Sequence, residues 1–279
     1  MKVIGLGDQV VDCYDDRKIM YPGGNALNFA VFANMLRADS AFLGVFGNDK
    51  EAECVISAIR ALGIDNSRSK FHRGENGKTV VRLENGDRHF VFSNRCGVLR
   101  EKGLMLSEED YAYLGGFDLI HSGLYSYSQE ECKRLSGMGK AISFDFSGDY
   151  TEEQLRNILP VVKYAFFSTS NLSDKEREEL SSRALENGCE LALCTAGEKG
   201  AFLYMDGKTF RQEANYVEAE DTMACGDAFI TAFILNYLGG RGYADKEKVI
   251  LKALALASEF AAMQCMVHGS FGFGKEYGD

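Results

Sequence analysis

Apolar runs of strand length alternate with segments of helical period through most of the 279 residues, and this rhythm restricts the chain more than any other feature. A buried strand followed by a helix with one apolar face, repeated, is the pattern of a parallel sheet covered by helices. The spacing predicts strands over 2–7, 41–46, 117–121, 141–145, 163–167 and 190–195. Amphipathic helices are predicted over 25–37, 50–62, 107–115, 128–139, 151–158 and 173–187. Ser107 and Thr151, each followed by acids, carry the chemistry of a helix start.

One segment breaks the rhythm. From Thr79 to Phe92 the side chains alternate around Asn85-Gly86, a type I′ hairpin signal, so an antiparallel ribbon interrupts the α/β pattern. Such a ribbon cannot sit in a parallel core and is expected to project as a lid over about 71–96, joined by nearby residues 10–21. Lys78, Arg82, Arg88 and His89 decorate it, either as a solvated face or as a surface for substrate or dimer contact. After residue 195 short strands over 200–205 and 208–212 meet at Asp206-Gly207, and two long helices follow over about 225–238 and 245–267.

Composition narrows the function. A net charge of −10 and the lack of a dense Lys/Arg run argue against a nucleic-acid partner, because phosphate backbones need a basic face. No segment approaches the roughly 18 uncharged apolar residues of a membrane span, and the opening MKVIGLGD reads as a first strand and not a signal peptide, so a cytoplasmic protein is expected. The eight cysteines lack zinc-site spacing and read as buried free thiols in a reducing compartment.

Three stretches could carry chemistry. Asp221-Thr222-Met223-Ala224-Cys225-Gly226-Asp227 is built of small residues and opens into the apolar helix FITAFILNYL. A helix start offers unpaired N–H groups and the positive end of the dipole, which suits an anion, and Asp227 on the first turn could accept a proton from an attacking hydroxyl. A plain capping Asp is the competing reading. Gly23-Gly24-Asn25-Ala26-Leu27-Asn28 is a glycine turn feeding a helix, either a sugar-hydroxyl contact through Asn28 or a simple cap. Thr195-Ala196-Gly197-Glu198-Lys199-Gly200 ends a strand, where open α/β sheets bind ligands, though a tight turn would use the same glycines. Gly74-Glu75-Asn76-Gly77-Lys78-Thr79 fails as a P-loop on spacing, and Gly5-Leu6-Gly7 lacks the rest of a dinucleotide fingerprint.

In this order the stretches resemble the ribokinase (PfkB) family of carbohydrate kinases over nearly the whole chain. The amino-terminal signature looks like GGNALNFAVFANMLRADSAFLGVFGND, and the usual DTxGAGD appears as DTMACGD, with Ala224 and Cys225 in place of Gly and Ala. The resemblance implies a single domain over 1–279, a three-layer α/β sandwich with a mostly parallel sheet and a small β lid, often paired across a homodimer. It implies Asp227 as base, the N–H groups of Ala224, Cys225, Gly226 and Asp227 as the phosphoryl cradle, and Asp12, Gly24 and Asn28 as the sugar pocket. Thr195, Gly197 and Gly200 match the nucleotide loop; Asn171 and Asp174 are the nearest match to a broken Mg²⁺ motif, and Asp221 matches a residue of a monovalent-cation (K⁺) site.

Within the family, the runs at 106–127 and 142–147 look most like bacterial fructoselysine 6-kinase. ATP, Mg²⁺ and a small sugar are the implied partners. The alternatives are a kinase for ribose, fructose or a nucleoside, or a silent sugar or nucleotide sensor on the same fold.

Overall fold

The computed structural model describes residues 1–84 and 87–278. Its first strand, β1 (Lys2–Gly7), is buried from Val3 onward, with Val3 packed toward one face and Ile4 and Leu6 toward the other. Then come β2 (Val10–Tyr14), β3 (Ile19–Gly23), α1 (Asn25–Met35), β4 (Asp39–Phe46), α2 (Lys50–Leu62) and β5 (Lys70–Phe71). The ribbon is β6 (Gly77–Glu84) with β7 (Asp87–Ser93). Next are α3 (Val98–Lys102), α4 (Glu108–Leu114), β8 (Leu119–Gly123), α5 (Gln129–Gly137), β9 (Ile142–Asp145), α6 (Glu152–Ile158), β10 (Tyr164–Ser168), α7 (Asp174–Glu186) and β11 (Leu191–Thr195). The hairpin β12 (Ala201–Met205) and β13 (Lys208–Gln212) leads to α8 (Cys225–Gly239), α9 (Lys246–Gln264) and β14 (Lys275–Glu276).

Nine of the described strands form one sheet in the order β13-β12-β11-β10-β9-β8-β1-β4-β5, parallel except for the β11-β12-β13 edge. Tyr111 and Leu114 of α4, Leu135 of α5, Leu155 of α6 and Ala184 of α7 cover one face. Phe29 of α1, Phe233 of α8 and Leu254 of α9 pack with Val3, Leu119 and Tyr164 on the other. The result is the expected three-layer sandwich. Helix α8 is apolar on all sides because it is buried from Ala228 through Leu235.

The antiparallel ribbon stays out of this sheet, as expected. It joins a second, five-stranded sheet in the order β14-β3-β2-β6-β7, which also takes in the carboxyl-terminal β14, while β5 at 70–71 belongs to the main sheet. Val11, Cys13 and Met20 seal one face of the small sheet on Cys54, Val55 and Ala58 of α2. Two of the cations expected to decorate the ribbon are committed elsewhere: Lys78 pairs with Glu51 at 2.8 Å and Arg82 with Asp15 at 3.4 Å. The Asn85-Gly86 turn and the side chains of Arg88 and His89 lie outside the described residues.

Sequence and structure differ at β8, expected over 117–121 and found over Leu119–Gly123. The Gly115-Gly116 turn after α4 holds Phe117 in the core, and pairing with β1 starts only at Leu119. His121 therefore lies in mid-strand. Among the described residues, no helix is long and apolar enough to cross a membrane.

Candidate active site at the start of helix α8

Ala224 is the N-cap of α8, with φ 57°, and Cys225, Gly226 and Asp227 form the first turn with no side chain capping them. The Met223 N–H donates to Asp221 Oδ1 at 2.9 Å and the Cys225 N–H reaches Thr222 O at 3.4 Å. Among the described residues the N–H groups of Ala224, Gly226 and Asp227 find no acceptor. Three of the four amides expected to form the cradle are thus open, at the positive end of a 15-residue helix. Gly226 is exposed, and a methyl group added there would meet nothing within 4 Å.

Ala224 sits in a left-handed conformation that costs an L-residue about 1–2 kcal/mol. Replacing it by Gly removes that cost but loosens the unfolded chain by about 0.4–1 kcal/mol. Ala224→Gly is therefore expected to raise unfolding stability by roughly 0.5–1 kcal/mol. Urea titration reads this directly, and a loss of stability would contradict the strain argument.

Asp227 is half-buried, with each carboxylate oxygen held by a side-chain amide from α1: Asn25 Nδ2 donates to Oδ1 at 2.8 Å and Asn28 Nδ2 to Oδ2 at 2.6 Å. Asn25 Nδ2 also donates to Asp145 Oδ2 at 2.9 Å, so one NH₂ group joins two carboxylates. An amide whose nitrogen faces two carboxylates must turn its oxygen away, and Asn25 Oδ1 meets His121 Nε2 at 3.1 Å. That contact requires a proton on Nε2, which leaves Nδ1 to accept from the Ser143 hydroxyl at 2.9 Å. Burial drives the His121 pKa down to about 3, so the ring stays neutral and sandwiched against Phe29.

Burial, then the nearby Asp145 charge, pushes Asp227 up to about 7, with the two asparagines opposing. Burial likewise lifts Asp145 to about 6. Asp8, its affinity also raised by burial, accepts the Asn25 N–H at 2.7 Å, the Ala26 N–H at 3.2 Å and the Ser126 hydroxyl at 2.6 Å, which ties down the start of α1.

The other expected site residues divide. Asp12 lies mid-way along β2 in the small sheet, past the end of β1 at Gly7. It remains buried beside the α1 entry, since its Oδ2 and the Ser270 hydroxyl both stand 2.8 Å from where a Gly23 side chain would begin. Gly24 is the N-cap of α1, at φ 111°, and packs on the Gln9 backbone. Thr195 ends β11 and Gly197 begins a 3₁₀ turn at φ 56°. Gly200, at φ 87°, has its Cα against Gln212 O, so the hairpin itself demands a glycine.

Asn171 is exposed, and Asp174 spends its carboxylate on Arg177 at 2.9 Å. Asp221 is buried, with Oδ2 accepting the Tyr14 hydroxyl at 2.5 Å and the Gly269 N–H at 2.9 Å. These donors tie the small sheet and the carboxyl-terminal loop to the α8 turn.

Asn25, His121, Ser143 and Asp145 were not among the expected site residues. Asp145 carried a usable signal, an acid at the last position of a predicted parallel strand, where open sheets bind ligands. His121, a lone His in an apolar run, carried none.

A helix start with open amides, a carboxylate on its first turn and a second sheet tied to it through Tyr14 define an enzyme built to transfer an anionic group to a small acceptor. The chain belongs to the pfkB family of carbohydrate kinases, whose model matches residues 9–272, and it is a carbohydrate kinase. It is 37% identical to the fructosamine kinase FrlD of Bacillus subtilis, over 99% of this chain and 95% of that protein. It is 27% identical to the fructoselysine 6-kinase of Escherichia coli, over 95% of this chain and 98% of that one. The fold matches an Arabidopsis thaliana ribokinase solved with ribose and ATP, with a TM-score of 0.76 and 18% identity over 92% of this chain and 91% of that one.

Proposed function

We propose that this enzyme transfers the γ-phosphoryl group of ATP to a primary hydroxyl of fructoselysine or a similar ketoamine sugar. The observation that carries the reading is the shared placement of the Asp227 carboxylate and the open Ala224, Gly226 and Asp227 amides on one helix turn. The names of the two relatives support the ketoamine acceptor.

Asp227 accepts the hydroxyl proton as the oxygen attacks, and its position on a helix between two asparagines holds the accepting oxygen in place. The amides at the α8 start stabilise the charge that develops on the moving phosphoryl group. Asp12, Gly24 and Asn28 hold the sugar; the Asn28 Oδ1, buried and without a partner among the described residues, is an acceptor ready for a sugar hydroxyl. Thr195, Gly197 and Gly200 shape the loop that meets the nucleotide.

Mg²⁺ would neutralise the ATP phosphates and, as is general in kinase sites, would be held largely by those phosphates with one or two protein groups. Among the described residues no group of three or more His, Cys, Asp or Glu could hold a metal ion by itself. Of the two residues at the expected motif, Asp174 is paired with Arg177 and Asn171 is exposed, so Asn171 would be the one to approach the ion.

The enzyme acts in the cytoplasm, without nucleic acid, and pairs as a homodimer through the small sheet. Edge strand β7 leaves Val91 and Phe92 53% and 54% exposed. A single-subunit mass in solution at micromolar concentration would remove the dimer.

Coupled ADP release, measured with ATP and a panel of fructoselysine, fructose, ribose and a nucleoside, tests the substrate. The highest kcat/KM is expected for fructoselysine. A preference for free fructose or ribose would reject the ketoamine assignment, and no turnover with any of them would favour a sensor.

A further inference from the structure

The reading of Asp227 as base leaves Asp145 without a task, yet the structure brings the two carboxylates to the two hydrogens of one Asn25 NH₂, at 2.9 and 2.8 Å. The geometry points to Asp145 as a positioning residue that, through Asn25 and through its own charge, sets the proton affinity of the Asp227 carboxylate. This inference rests on the proposed role of Asp227.

Three features support it. The bridge is locked from behind, because the buried, neutral His121 holds Asn25 Oδ1 and is itself held by Ser143. Asn25 cannot rotate to release one acid without placing its oxygen against a carboxylate and its NH₂ against the His121 N–H. The second Asp145 oxygen accepts the Ser147 N–H at 2.8 Å, which anchors the acid at the end of β9.

Asp227 faces Asn25 and Asn28 from α1, Asp145 from β9 and, farther off, Asp8 from the turn after β1. No Lys or Arg among the described residues forms an ion pair with Asp8, Asp145 or Asp227. Two like charges in one poorly solvated site push proton affinity upward, and Asp145 is the first neighbouring charge acting on Asp227. A base whose affinity lies near working pH is stronger than an ordinary carboxylate and still largely ionised.

The sign follows. Asp227 must be deprotonated to act, so kcat/KM rises with pH as it loses its proton. Removing the Asp145 charge lowers the proton affinity of Asp227, so the acidic limb of the profile moves to lower pH.

The experiment is the pH dependence of kcat/KM and of Mg²⁺ activation for wild type, Asp145→Asn, Asp145→Ser and Asp145→Glu, with thermal unfolding of each. Both neutral variants are expected to shift the acidic limb down by on the order of one unit, and the charge-keeping Glu variant to restore it toward wild type. Asp145→Ser is read in the same way should Asp145→Asn not fold. A limb that stays in place in a folded neutral variant overturns the inference, whether the loss appears as lower melting temperature, as in a structural role, or as weakened Mg²⁺ activation, as in metal binding. Turnover retained by Asp227→Asn would instead overturn the base assignment itself, and the two failures are thereby separated.

Discussion

Asp227→Asn is expected to lower kcat by roughly 10²–10⁴-fold while nucleotide affinity stays within a few-fold. That loss corresponds to about 3–5 kcal/mol of transition-state stabilisation, the share of a single positioned acid–base group. The side chain keeps its shape, the amides of Ala224 and Gly226 are untouched, and the Gly197 loop proposed to meet the nucleotide belongs to a different element. The proton acceptor is lost, and the new NH₂ replaces one of the two oxygens that accepted from Asn25 and Asn28; a turn of the Asn28 amide, whose buried Oδ1 has no partner among the described residues, restores that hydrogen bond.

The fold should not suffer. Burial and Asp145 raise the affinity of Asp227 for its proton to about 7, well above the usual carboxylate range. Wild-type stability from this group is therefore full below that range and declines as pH rises through about 7, where a charge must be carried in a poorly solvated site. The Asn variant has no such decline, so at pH 8 it should unfold no earlier than wild type. Comparable kcat in the two proteins, measured by ADP release, would refute the role of Asp227.

Gly226→Ala is expected to lower kcat by roughly 10–10³-fold, approaching the effect of removing one anion-stabilising donor, without any loss of stability. Gly226 lies on the first helical turn with no positive φ, and a methyl group there meets no protein atom within 4 Å. Ala in that conformation restricts the unfolded chain and should add about 0.4–1 kcal/mol to stability. On the proposed reading, the methyl intrudes on the approach of phosphate oxygens to the open amides of this turn. A stabilised protein with depressed turnover separates this outcome from ordinary damage. Full activity in Gly226→Ala would place the transferring group elsewhere.

Gly200 makes an instructive contrast among the glycines of the expected site. Its Cα lies against the Gln212 carbonyl at φ 87°, so its identity is already explained by the β12-β13 hairpin before any ligand is considered. Local sequence could not separate a glycine that the backbone needs from one that a ligand needs, since both read as a small residue in a turn.

What the chain determines locally was legible without coordinates. The alternation of apolar runs and helical periods specified the layered α/β sandwich, the Thr79–Phe92 alternation specified a ribbon outside it, and the small residues before FITAFILNYL specified a helix start carrying Asp227. Each of these is set by side-chain period and backbone preference within a dozen or so residues. The tertiary structure alone decided that Asp227 is gripped by Asn25 and Asn28, 202 and 199 positions away, and that Asn25 also reaches Asp145, 120 positions away. It also decided that Tyr14 of the small sheet occupies Asp221. Desolvation and charge coupling depend on distance in space, which the order of residues along the chain does not encode, so the proton affinity of the site emerges only when β1, β8, β9, α1 and α8 converge.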